Sequence, residues 1–364
     1  MIREKIDSLH GLRILCFYSL FAFHAGYSII STDVGARVVE FFFIMSGFLM
    51  AYNHIDDMPA TCEESYRILK KRIRNFYPIH ILTFLLSLGL ITEQLVNISL
   101  WKTNLFTAVA NLFLIQSWAD GSDVFFSFNS VSWFLSTILF CYVMTPFVLA
   151  VVRRFVEQVK KSIYLYIFIF GILVYIELLP LVLPDSFHFS VHINPVVRCL
   201  DYMLGCITGA LFRKISSEST GLNKIWSKNT TVRFVMFSII EIGLFYIYIL
   251  LATGFYKTWL RAYYIPITCL VVYTISRGYG VISFLLRLKL FAFIDKIELE
   301  QFMIHQIALR YLCKTGASPQ ITFILAIFIT FVASWGIHLL TSKWFEFRQH
   351  FRFYYERQGM RSNE

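Results

Sequence analysis

The feature that most constrains this chain is a series of apolar runs long enough to cross a bilayer. A helix rises about 1.5 Å per residue, so about 20 apolar residues span the roughly 30 Å hydrocarbon layer. Ten stretches meet that need, at 9–30, 35–52, 76–95, 131–152, 163–183, 195–212, 234–253, 259–276, 297–312 and 321–342. A further run, 101–118, is apolar but interrupted by polar residues, and is read as an interfacial or re-entrant piece. Hydrocarbon offers no partner to backbone polar groups, so runs of this length fold as helices. The predicted fold is all-α: a polytopic integral membrane helix bundle of about ten transmembrane helices. Only 15% of the 364 residues are charged, against about 25% in soluble domains. That deficit makes the lipid bilayer the expected surrounding partner.

The net charge of +10 does not point to nucleic acid, because the basic residues sit in short clusters between the apolar runs. If the N-terminus is cytoplasmic, 25 of the 33 lysines and arginines fall in cytoplasmic segments and four in the opposite loops. The other four, Arg13, Arg37, Arg198 and Arg310, lie within spans. Such asymmetry predicts a multi-pass protein of the cell membrane with both termini cytoplasmic. Residues 1–344 read as one transmembrane domain, and 345–364 as a short basic cytoplasmic tail. The N-terminus shows no removable signal peptide, since His10 and Arg13 interrupt the first apolar run and no small-residue cleavage site follows. The seven cysteines show no paired ligand spacing, so they read as packing residues and no metal site is expected.

Charged side chains deep in lipid cost about 2.5–3.5 kcal/mol or more each, so they face a cavity or a partner. Arg13 and His24 are the sharpest case. They are eleven residues apart, which is about three helical turns and about 16 Å along the axis, on one face. A neutral histidine there suits a general base. The alternative is a histidine that only bridges helices and an arginine that snorkels to the surface. Glu40 can orient His24 or pair with Arg37 one turn back. Arg198 and Asp201, three residues apart, can satisfy each other. Ser46 beside Gly47 permits close helix packing. His305, in the ninth run, is either a site residue or a structural bridge. Trp118 and Trp133 read as interface anchors, and Arg72 and Arg74 either mark topology or bind an anion.

Seven segments in collinear order resemble the acyltransferase-3 family of membrane proteins. LHGLRILCFYSLFAFHAG (9–26) carries an arginine, ten residues and a histidine, the family's opening signature. FFFIMSGFLMAY (41–52) is similar to its second helix, and KKRIRNFYP (70–78) to the basic lead-in of its third. NLFLIQSW (111–118) and FNSVSWFLSTILFCYVMTP (128–146) resemble the segment around its fourth. INPVVRCLDYMLGCITG (193–209) looks like its Asn-Pro-x-x-Arg block, and IELEQFMIHQ (297–306) like a late helix ending in histidine. Two departures stand out. Glu298-Leu299 replaces a Ser-aromatic pair, and Thr137-Ile138 stands where many members have a glutamate. Neither is expected to touch Arg13 or His24. The chain carries no appended hydrolase-like domain of the kind some members have, so the membrane domain itself is expected to acylate the acceptor.

The resemblance implies transfer of an acetyl group from cytoplasmic acetyl-CoA, a substrate rather than a tightly bound cofactor, to a saccharide hydroxyl in a bacterial cell membrane. His24 would then be the general base, and Arg13 would serve the donor. Arg72 and Arg74 would meet the CoA phosphates, with Glu40, Ser46, Arg198, Asp201 and His305 as supporting candidates. The rival expectation is a transporter or flippase using the same cavity; it lacks the paired broken helices of an inverted repeat. The topology is testable directly. In a cysteine-depleted variant, cysteines placed at Ser186 and Ser217 label from opposite sides of the membrane, and equal labelling from outside would contradict the assignment.

Overall fold

A computed structural model describes residues 5–26, 34–92, 97–178, 192–217, 229–254 and 264–361. Residues 27–30, 93–95, 179–183 and 259–263 of the expected spans lie outside this set, as does 185–191, which holds Ser186. So do Arg3, Lys224, Lys228, Lys257 and Arg261 of the counted basic residues. Every regular element among the described residues is helical. The longer ones are α1 (Asp7–His24), α2 (Val34–His54), α3 (Cys62–Leu88), α4 (Trp101–Leu112), α5 (Trp133–Val156) and α6 (Val159–Leu178). They continue with α7 (Pro195–Ser217), α8 (Thr230–Gly254), α9 (Tyr264–Arg277), α10 (Glu298–Cys313) and α11 (Pro319–Arg361).

Six of these helices are long and apolar enough to cross a membrane: α2, α5, α6, α7, α8 and α11. The other four expected spans fall short for visible reasons. α1 carries Arg13 and two histidines, α3 opens on a charged stretch, and α9 and α10 are described over only 14 and 16 residues. The tenfold count therefore remains an expectation, while the multi-pass bundle stands. α11 runs unbroken from the last span through the expected tail to Arg361. α4 lies where a re-entrant or interfacial piece was expected. Trp101, Leu105, Phe106 and Phe113 are exposed on it, while Thr107 and Asn111 are buried. Trp118 is exposed and packs edge-on against Phe140. Trp133 is 7% exposed and sits in the core beside Phe134 and His192, which corrects its reading as an anchor.

Local chemistry explains the helix starts. The Thr61 hydroxyl accepts from Glu64 N at 3.2 Å, with Glu63 and Glu64 in the first turn of α3. Asn194 accepts from Val196 N and Val197 N, and Pro195 opens α7 where its missing N–H is harmless. Asn229 caps α8 in the same way, with bonds from Thr231 N and Val232 N.

Burial sorts the bundle into layers. The spans of α2 and α7 are 78% and 72% buried, whereas those of α8 and α11 are 6% and 17%. α2 and α7 form the central pair, and small residues make their contact. A Cβ on Gly47 would lie 1.9 Å from the Tyr202 carbonyl oxygen; one on Gly205 would lie 1.9 Å from that of Ile44. Gly209, one turn beyond Gly205, meets Phe48 likewise. Against this spine pack α5, α9 and α1.

The basic helix ends meet at one end of the bundle. Arg153 donates to the Ile55 and Met58 carbonyls, Lys214 to Val156 and Glu157, and Arg277 to Ser216, while Arg213 pairs with Asp56. Lys5 joins them through Asp295. Arg13, Arg72 and Arg74 stand at this end.

Because the α2–α7 seam is backbone on backbone, Gly205→Ala should lower the melting temperature of the detergent-solubilised protein, by the 1–3 kcal/mol or more typical of overpacking. Gly171→Ala, in the interior of α6 with an added Cβ that meets nothing within 4 Å, serves as the matched control and should not lower it, since alanine is the better helix former.

Candidate active site

The apolar helix α1 turns Arg13, Tyr18 and His24 toward α10. The helices run in the same direction, from the basic end of the bundle. At that end Arg13 donates from Nη2 to Asp295 at 2.7 Å and pairs through Nε with Glu298. Asp295 also takes Lys5 at 3.0 Å and His10 at 2.7 Å. Burial alone would raise the Asp295 carboxyl, but the His10 hydrogen bond and the Arg13 charge outweigh it. They hold it well below the usual carboxylate range. Further along, Gln301 of α10 donates to the Tyr18 hydroxyl at 3.1 Å. At the far end of α1, His24 Nδ1 stands 2.9 Å from His305 Nε2.

The two histidines were expected separately, and the structure brings them together: His24 has a partner 281 residues away. His305 is fully buried, its ring edge-on to Phe17 and tilted on Phe21. Its Nδ1 lies 2.7 Å from the Phe302 carbonyl oxygen, which can only accept. In a neutral His305 that contact puts the proton on Nδ1 and leaves Nε2 as an acceptor. His24 Nδ1 then donates to it, and His24 Nε2 keeps its lone pair.

Arg13 opens onto a cavity of about 560 Å³ between α2, α3, α5, α10 and α11. Its polar part holds Arg13, Arg72, Arg74, Asn75, Asp295, Lys296, Glu298, Glu300 and His338. Its apolar part is built from Phe42, Met45, Ile79, Phe134, Leu135, Ile138 and Phe302, with Ser46 among them. The Arg72 guanidinium carbon lies over the Tyr142 ring, 4.2 Å from its centroid. Four of the expected site residues, Arg13, Ser46, Arg72 and Arg74, thus line one cavity.

Glu40, Arg198 and Asp201 form a separate knot. Glu40 accepts from Arg37 at 3.0 Å, so of its two expected roles the structure supplies the pairing one turn back. Arg198 donates to Asp201 at 2.7 Å and lies 3.8 Å from Glu40. It also donates to the His192 carbonyl at 2.5 Å and to His192 Nδ1 at 2.6 Å. All four charged side chains of this knot are buried, and it ties α2 to α7.

One expectation is overturned. The departure at Glu298 was expected not to touch Arg13, yet its carboxylate is the arginine's ion-pair partner. The second departure, Thr137, donates to the Ile193 carbonyl at 3.1 Å. Asp295, Tyr18 and Gln301 were also missed. Glu298 was open to the same test that found Arg13, since a carboxylate in an apolar run needs a partner as much as a guanidinium does.

The charged cavity mouth and the histidine pair stand at opposite ends of the seam between α1 and α10, and comparison with known proteins names the class. The sequence profile of the family described as "Acyltransferase domain" matches residues 6–339, and the chain belongs to that family. A curated relative, "Acyltransferase MdmB" of Streptomyces mycarofaciens, is 29% identical over 163 residues. That stretch covers 41% of this chain, and the chain spans only 41% of the relative's length. No solved structure matches it.

Removing one member of a buried ion pair typically costs about 3–5 kcal/mol, because the other charge is stranded. Glu298→Ala should therefore lower the SDS-unfolding midpoint of the purified protein more than Glu298→Gln, which keeps an acceptor near Arg13. Midpoints equal to wild type for both would remove the clamp from the structure's stabilising contacts.

Proposed function

We propose that this protein is a membrane-embedded O-acyltransferase that moves an acetyl group from cytoplasmic acetyl-CoA to a hydroxyl of a cell-surface or lipid-linked saccharide. The observation that carries this reading is the histidine pair, because its hydrogen bonds leave a lone pair on His24 Nε2. Family membership supports acyl transfer over transport as the use of the cavity. The basic end of the bundle faces the cytoplasm in this reading, which places both termini inside.

The donor enters at the polar mouth. Arg72 and Arg74 offer guanidinium forks to the CoA phosphates, and the apolar depth takes the pantetheine arm. Arg13 is gripped by Asp295 and Glu298, so it presents its charge to the donor in a fixed orientation. His24 Nε2 accepts the proton of the acceptor hydroxyl as its oxygen bonds to the thioester carbon. The C–S bond then breaks, and the proton passes to the CoA thiolate. His305 holds the charged ring by keeping its acceptor nitrogen toward His24 Nδ1. No covalent acyl-enzyme is needed.

Acetyl transfer by the purified protein in nanodiscs, with labelled acetyl-CoA and a glycan acceptor, tests the assignment. General-base removal typically costs about 10²–10⁴-fold, so His24→Ala should lose transfer by that order while still binding CoA. Arg13→Lys should also fail substantially, since a compact ammonium cannot bridge two carboxylates and a phosphate as a planar fork does. Arg72→Ala with Arg74→Ala should weaken acetyl-CoA binding in calorimetry without unfolding the protein. Near wild-type turnover by His24→Ala would end the mechanism.

A further inference from the structure

The cavity and the histidine pair do not communicate openly. Neither His24 nor His305 lines the cavity, although Phe302, one turn before His305 on α10, does. The Phe302 ring lies 6.0 Å from that of His305, centroid to centroid, and its carbonyl holds His305 Nδ1. On the cavity side Phe302 meets Phe134 edge-on, at 5.4 Å. Phe134 is in turn braced by Phe43 at 4.9 Å and Phe42 at 6.1 Å, both on the central helix α2. Phe134 and Phe302 stay only half-buried in the middle of the bundle, because each presents a face to the cavity. On the other side His24 is half-buried at the last residue of α1.

We propose that the Phe134–Phe302 ring pair is a partition that keeps the donor thioester from water at the histidine pair, so that the acceptor hydroxyl is chosen over water. The inference rests on the acyltransferase reading above. His24 Nε2 does not distinguish a sugar hydroxyl from water, since both offer an O–H to the same lone pair. Water attack would form acetate by making a new O–C bond to the acyl carbon and breaking the C–S bond. The proton would travel through His24 to the CoA thiolate. Chemistry alone therefore gives no preference, and the preference must come from exclusion. An edge-on aromatic pair braced from behind supplies it, because the Phe302 ring stands between the cavity it lines and the His305 ring it touches. α10 supplies both the screening ring and the histidine it screens, so the same backbone sets both positions.

The test is the acceptor-free release of CoA thiol from acetyl-CoA by the nanodisc-embedded protein, followed with a thiol reagent beside transfer to a glycan acceptor. Phe302→Ala should raise acceptor-free hydrolysis by about tenfold or more relative to transfer, and the double variant Phe302→Ala, His24→Ala should abolish that gain. Phe302→Leu and Phe134→Leu, which keep an apolar side chain in place, carry the same test in milder form should the alanine variant not fold. Hydrolysis at the wild-type level in variants that still transfer would overturn the partition. Hydrolysis that rises but survives the loss of His24 would also overturn it, since the opened space would then not lead to the histidine. A wild-type protein that transfers no acetyl group from acetyl-CoA would instead overturn the reading of the site, and the partition with it.

Discussion

The site depends on a rule of the bilayer: a charge placed in hydrocarbon must bring its partner with it. Arg13 cannot stand on α1 alone; Asp295 answers it from the turn before α10 and Glu298 from the first residue of α10. That pairing fixes how deep α10 sits beside α1. The depth decides which residue of α10 faces the far end of α1, and that residue is His305. Tyr18 and Gln301 join the two helices between these rungs. The clamp at one end of the seam thus sets the geometry of the histidine pair at the other.

Much of this was legible in the chain. Hydropathy gave the class of fold, because a run of apolar residues has few alternatives in lipid. Cost in hydrocarbon picked out Arg13 and His24, and helical periodicity put them on one face. The asymmetry of lysines and arginines foresaw that the ends carrying Arg153, Lys214 and Arg277 gather together. The Arg198–Asp201 pair followed from spacing alone.

What stayed hidden was long-range. Periodicity tells which residues share a face of one helix, and it is silent on which helix that face meets. His24 and His305 are 281 residues apart, and Arg13 and Asp295 are 282 apart. Glu298 was read as a departure from a pattern rather than as a charge needing a partner, and so its place beside Arg13 went unseen. Trp133 was misjudged for a related reason: an aromatic at a helix start looks the same whether the helix end is wet or capped by another segment. Here His192, just ahead of α7, covers it.

The glycine seam between α2 and α7 has a mechanical consequence. Helices separated by side chains can slide by exchanging rotamers, whereas Gly47, Gly205 and Gly209 leave no side chain to rearrange. The central pair is therefore an anvil, stiff against the passage of substrate. Phe42 and Phe43 stand on it, and so the wall behind Phe134 cannot retreat. Any widening of the cavity falls to the opposite wall, which α3 and α11 line.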